Sequence, residues 1–402
     1  MQTSQGKTTF RGCFWAVLLL VLSAVLFTAC SSGSNPGGIP PTRTPKPTFT
    51  VVAEASVVAP SPTTGPSATA VSSPSATPPP TMTPTPTPTV NPYFNPLTGQ
   101  TVQDPAVLQR RPLLVRIGND PQVRPQSGLF QADMVFEEAM DGWTITRLTA
   151  VVWSQDPKEL RPVRSARLFT IELGHMFDGV LVHSGANDQV RWLISQSGLT
   201  DLDEYFHAAP YHWLTPQGEW KSYPWMGRVA TSSEAIRTYL TKKGMEKAVR
   251  LPGFTFSAES DPAPQGEPAT YIHIPYPRRA VVEYRYDPEK RAYKRFVEGK
   301  SHADALSGQQ LTPVNVIVHY AVYQETDVKD VNGAATFNII STGEGRAQIF
   351  RDGVMIEAKW IRPNLKDFNK YVYLDGSAVP LRPGQTWVEV VPTDYQITYK
   401  VE

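Results

Sequence analysis

The sequence predicts an α+β fold: a mixed α/β domain over residues 92–260, then a β-rich domain over residues 261–402, both carried on a disordered tether. Three observations support this. Apolar strand-like runs alternate with helix-like segments through the first region. Short strand-like runs parted by Asp-Gly and Pro-Gly turns fill the second, as in an antiparallel sheet or small barrel. Ahead of both lies a stretch dominated by proline, threonine and serine, too poor in apolar residues to build a core.

The chain opens with Lys7 and Arg11, then an apolar run from Phe14 to Phe27, then Thr28, Ala29 and Cys30. A basic start, a short apolar core and small residues before a cleavage point describe a secretory signal. The cysteine directly after Ala29 resembles the signal of bacterial lipoproteins, in which residues 1–29 are removed and Cys30 becomes the lipidated first residue. Phe27 stands where that pattern prefers leucine. A single spanning anchor is the alternative, but the run is shorter than the roughly 20 apolar residues a bilayer crossing needs. The expected location is therefore the extracytoplasmic side of the cell membrane, held by lipid on Cys30. Cys13 lies inside the signal, so the mature chain would keep Cys30 alone, with no internal disulfide and no cysteine zinc site.

Residues 30–91 form the tether. From Ser31 to Val90 only Arg43, Lys46 and Glu54 are charged. Such a segment reads as a disordered linker that holds the folded part away from the membrane. A flexible chain of ~60 residues spans about 45 Å, and a polyproline II one up to ~190 Å. Charge is balanced beyond it, with 17 basic and 18 acidic residues over 92–260 and the same over 261–402. Neither half has the basic excess of a nucleic-acid binder.

In the first region, Pro112 to Asn119 reads as a strand, and Ala132 to Met140 and Ile145 to Ser154 as a hairpin about Asp141-Gly142. A three-residue loop there would set Glu137 opposite Arg147 as an ion pair; a two-residue turn would send them to opposite faces. The pair would then serve either hairpin register or a site. Next comes RPVRSAR, Arg161 to Arg167, with three arginines in seven residues. Pro162 keeps Arg161 extended, and Ser165 is placed to cap a helix beginning near Ala166. Arg164 and Arg167 would flank that helix N-terminus, where free amides already favour anions and guanidinium forks match carboxylate or phosphate. Two readings stay open: an anion pocket, or arginines consumed internally by Glu137, Glu138 and Asp133.

Gly179 to Ser184 reads as a buried strand ending in His183 and Ser184, and Asn187 to Ser197 as a helix. A histidine beside a serine invites a hydrolase reading, but no nucleophile elbow surrounds Ser184 and no acid is fixed by spacing. Tyr205 to Trp225 is rich in aromatics and histidines, which suits a sugar-binding surface or a packed loop equally. His207 with His212, and His302 with Asp304, are too few to make a metal motif. Thr231-x-x-Glu234 is a capping box that opens a helix to about Lys243. No Walker loop, dinucleotide glycine pattern, H-E-x-x-H or C-x-x-C occurs, so no cofactor is implied. In the second region, strands are expected at 280–286, 291–297, 314–324, 335–341, 345–350, 354–360, 371–374 and 386–391.

Between positions 95 and 392 a set of motifs is similar to the YerB-like bacterial lipoproteins, a two-part domain of unknown function. They are NPLTG at 95, RPQSGL up to Leu129, ADMVFE at 132, ITR at 145, PVRSAR at 162 and HSG at 183. NVIV at 315, GEGRAQIFRDG, Trp360 and PGQTWVEVVP complete the second part. The family pattern often has Asp-Asn where this chain has Gly118-Asn119, so an acidic role there does not carry over. The resemblance implies an anchored extracytoplasmic protein and no particular activity.

The function expected from these readings is a cell-envelope binding or accessory protein with an arginine-lined pocket for an anionic or cell-wall glycan ligand. The residues expected to line it are Asn119, Arg124, Glu137, Arg147, Arg164, Ser165, Arg167, His183 and Ser184. A hydrolase of an envelope polymer, using Glu137 or His183 as acid or base, and a scaffold for other envelope proteins are the alternatives.

Overall fold

The computed structural model describes residues 91–330 and 332–402; the signal-like segment, Cys30 and the tether lie outside the described residues. Four strands of the first region form on their apolar runs: β1 (Leu113–Gly118), β2 (Met134–Ala139), β3 (Thr146–Val152) and β4 (Val180–His183). A fifth, β5 (Thr200–Asp203), carries only one strongly apolar residue and follows from its pairing with β4. A short antiparallel hairpin, β6 (Tyr211–Trp213) and β7 (Val229–Thr231), comes next. The three helices are α1 (Leu168–Phe177), α2 (Asp188–Gln196) and α3 (Ser233–Lys242).

β3 pairs antiparallel with β1 and β2, and β4 and β5 join parallel to β1. Both faces of these strands are covered, which is why their burial is continuous rather than alternating. On one face Leu114, Met134, Phe136, Val151 and Leu181 meet Phe169, Leu173 and Phe177 of α1. α1 approaches closely because Gly174 lacks a Cβ, which would come within 2.5 Å of Leu199. On the other face Val115, Ile117, Leu148 and Val182 meet Ile236 and Leu240 of α3.

The second region continues the same sheet. Strands Asn315–Lys329, Gly343–Arg351, Val354–Arg362 and Lys370–Val372 pair antiparallel in turn. The strand Thr386–Pro392 then enters between Asn315–Lys329 and β2, parallel to both. A separate sheet of five strands, built on Tyr271–Ile274, Val282–Asp287 and Ala292–Val297 and closed by Thr398–Lys400, packs over Val316, Val318 and Phe350. The fold is α+β, with every helix of eight or more described residues in the first region and strands dominating the second.

Three local expectations need correction. Met140 N–H bonds Ile145 O, so the β2–β3 loop has four residues, Asp141 to Thr144. The register is therefore displaced by one position: Glu138 faces Arg147, and Glu137 points to the opposite face, opposite Leu148. The helix after RPVRSAR starts at Leu168 with Arg167 at the cap position, and the Arg167 N–H is satisfied by Thr170 Oγ1 at 2.9 Å. Ser165 caps nothing; its hydroxyl accepts from Arg167 Nη1. For α3 the capping side chain is Ser232, which accepts from Ala235 N–H, because Thr231 is still held in β7.

Candidate functional site

The segment RPVRSAR is extended and stitched into the ends of several strands. Gly118 N–H bonds Pro162 O, Arg164 N–H bonds Arg116 O, and Ser184 N–H bonds Arg164 O. Val163 N–H bonds Val229 O and Ala166 N–H bonds Gly185 O. The backbone is thus fixed at the carboxyl ends of β1 and β4, where open sheets of parallel strands place ligands. Arg164 and Arg167 leave it there and meet Arg147, at the start of β3.

These three arginines form the floor of a cavity of about 690 Å3. Arg147 is the deepest, its side chain only 2% exposed. Its guanidinium makes no hydrogen bond to any described residue, and its Nε and Nη1 are buried without partners. Its counter-ion is Asp120, 3.6 Å from Nη1 and outside hydrogen-bond range. Burial, and after it the neighbouring Arg164, hold the Arg147 guanidinium well below its usual pKa. Arg164 donates Nη1 to Met226 O at 3.0 Å, has no carboxylate within ion-pair distance among the described residues, and keeps a buried Nε unpaired. Burial lowers its pKa as well. Arg167 makes an ion pair with Asp141 through Nε, although the two are not aligned as a hydrogen bond. Buried donors without acceptors cost free energy, so the floor is complementary to an anion.

The walls come from segments far apart in sequence. Ser184, Gly185 and Asn187 belong to the β4–α2 loop, and Arg191 to α2. Arg191 is braced by Asp203 (Nε to Oδ2, 2.8 Å) and lies over the Tyr205 ring. Glu204 holds the Ser184 hydroxyl at 3.3 Å and the Trp213 indole N–H at 3.0 Å. At the mouth Trp213 and Trp225 are exposed, their rings within 11° of parallel and 6.4 Å apart. Asp330 and Asn332 reach the rim from the second region.

The structure brings Arg147, Arg164, Ser165, Arg167 and Ser184 together in this cavity. His183 lies directly beneath, wholly buried, with Nδ1 toward Gly185 O and Nε2 toward Asp201 Oδ1 at 2.7 Å. It fixes the β4–α2 loop and does not touch the Ser184 hydroxyl, which is turned to Glu204. Asn119, Arg124 and Glu137 do not line the cavity. Asn119 donates to Glu137 and accepts from Arg124 Nε and Gln126 in a separate buried network. The Glu137–Arg147 ion pair is replaced by Glu137–Arg295, since the longer hairpin loop sends Glu137 to the face covered by the second region. Glu138 and Asp133 do not consume Arg164 or Arg167 either: Glu138 pairs with Arg116, and Asp133 accepts from Asn95, Trp153 and Ser154. His207 meets the Tyr239 hydroxyl, and His302 lies between Arg295 and Gln126.

Asp120, Arg191, Glu204 and the Trp213–Trp225 pair escape the sequence reading. The only signal was the aromatic density of 205–225. Two of its three tryptophans, Trp213 and Trp225, come to one place only when β6 and β7 pair.

Over residues 97–249 and 272–388 the chain matches the two halves of one family, described as "Protein of unknown function (DUF3048) N-terminal domain" and its C-terminal domain. It is 30% identical over 308 residues to the protein named "Putative lipoprotein YerB" of Bacillus subtilis (strain 168), covering 74% of this chain and 86% of that one. The crystal structure of the YerB protein from Bacillus subtilis is similar with a TM-score of 0.64 at 28% identity, over 76% of this chain and 99% of that chain.

Proposed function

We propose that this chain, which belongs to the DUF3048 family of proteins of unknown function, is a lipid-anchored binding protein of the cell envelope whose arginine-floored cavity holds an anionic ligand. The observation that carries the reading is Arg147: a guanidinium almost wholly removed from water, with no hydrogen bond to any described residue, facing an open cavity. Asp120 at 3.6 Å offsets its charge without a hydrogen bond, so the buried guanidinium is incompletely satisfied, and an oxyanion delivered to it supplies both charge and acceptors.

A small oxyanion such as phosphate should therefore raise the melting temperature of the full-length protein in detergent. At a hundred times its dissociation constant the gain is about 2.7 kcal/mol. Arg147→Met keeps the volume and removes the charge, so it should abolish the shift. An undiminished shift in the variant would remove the basis of this reading.

The anchor rests on the order of basic residues, apolar run, Ala29 and Cys30, supported by the name of the Bacillus subtilis relative. Cys30→Ser should move the protein from the membrane fraction to the soluble one; retention in membranes would argue for a spanning anchor instead. A hydrolase that uses Glu137 with His183 is disfavoured, because the two lie on opposite faces of the sheet and the Ser184 hydroxyl is turned to Glu204, away from His183.

A further inference from the structure

We propose that the ligand is an acidic carbohydrate: a sugar ring carrying a phosphate or carboxylate, with the acid group on the arginine floor and the ring face against Trp213 and Trp225. The proposal rests on the anion reading above and adds the rest of the ligand.

The aromatic wall motivates it. Trp213 and Trp225 keep 47% and 66% of their surface in water, although burial of such rings is strongly favoured, so they are not there to build the core. Their planes are nearly parallel, 11° apart, with centroids 6.4 Å apart, and both line the cavity, so exposed indole surface meets whatever enters. The hydrogen bond from Trp213 Nε1 to Glu204 fixes one indole in orientation rather than leaving it free. A sugar ring presents apolar C–H faces that stack on an indole and hydroxyls around its edge that need partners.

Those partners are present. Between the floor and the rim, Glu204 offers carboxylate acceptors, and Ser184, Asn187 and Asn332 offer groups that can pair with hydroxyls. The same residues argue against other anions. An inorganic ion would fill only the floor of a cavity of about 690 Å3. An aliphatic acid would set its chain against Glu204 and Asp330 without satisfying either.

The test is titration of the full-length protein in detergent, following tryptophan fluorescence, with glucose 1-phosphate, glucuronate, inorganic phosphate and phenyl phosphate. Glucose 1-phosphate or glucuronate should bind about tenfold more tightly than phosphate, the increment expected of one good ring stack. Trp213→Ala and Trp225→Ala should each lose that increment, read calorimetrically, and keep the affinity for phosphate. Equal affinities for phosphate and both sugar acids would overturn the carbohydrate and leave the anion reading standing. So would tighter binding of phenyl phosphate than of either sugar acid. If neither phosphate nor the sugar acids bind, both readings fall.

Discussion

Arg147 shows how one side chain can give a cavity its chemistry. Its register partner on β1 is Gly118, and a Cβ at that glycine would come within 3.2 Å of Arg147 Nη1 and 2.5 Å of Arg164 Cγ. The missing side chain is what lets Arg164 lie across the strand end beside Arg147, whose counter-ion Asp120 stands 3.6 Å away without a hydrogen bond. Gly118→Asp would place a carboxylate beside Arg147 once the flexible Arg164 chain gives way. An internal anion there should compete with any external one, so phosphate affinity should fall by about tenfold or more, the value of a close charge-assisted bond. Gly118→Asn has nearly the same shape and no charge, and should retain more of the affinity. Calorimetric titration of the two variants decides it; equal affinities would mean that displacement of Arg164, and not charge, governs the floor. At this scale the arginine cluster itself was legible, because RPVRSAR concentrates donors before a helix. The emptiness around Arg147 was not, since it depends on what Gly118 lacks.

Elements were legible where the cause is local. The helix expected to begin near Ala166 forms as α1, Leu168–Phe177, and the strands expected over 112–119, 132–140 and 354–360 form on their apolar runs between turns. Errors arose where one residue of length decides the outcome. Asp141-Gly142 was recognised as a turn, but a loop of four rather than three residues changes every facing pair on β2 and β3, and with it the roles of Glu137 and Glu138. The same holds at helix starts. Thr231 and Ser232 are both able caps, and only the pairing of β7 with β6 assigns Thr231 to the strand. The β6–β7 hairpin was hidden because its strands are three residues each and its connection long, so no alternation announces them. That hairpin is also what makes the aromatic side of the cavity.

The order of strands in the main sheet was out of reach of the sequence, because Thr386–Pro392 pairs parallel with β2 across most of the chain and no turn signals it. That pairing sets Glu389 directly beside Glu137, both wholly buried, with Arg295 of the five-stranded sheet shared between them. Tyr284 donates to Glu389 Oε1, while Oε2 is buried with no partner. Burial, and next the charge of Glu137, push the Glu389 pKa up from the ordinary 4.5. A carboxyl whose pKa is raised on folding contributes stability that is full below its unfolded value and is lost as pH rises through the folded one. Stability should therefore decline above about pH 4.5 as Glu389 is forced to ionise against Glu137. Glu389→Gln keeps the shape of the neutral acid and cannot ionise. Its stability should fall less than the wild type's over that range, the two slopes differing by up to about 1.4 kcal/mol per pH unit. Glu138 and Asp141, also raised mainly by burial, act equally in both proteins and cancel in the comparison. Denaturant melts at pH 5, 6, 7 and 8 measure the difference. Parallel profiles would mean that Arg295 neutralises both carboxylates, and that the two regions are joined by an ion-pair triad rather than by a shared proton.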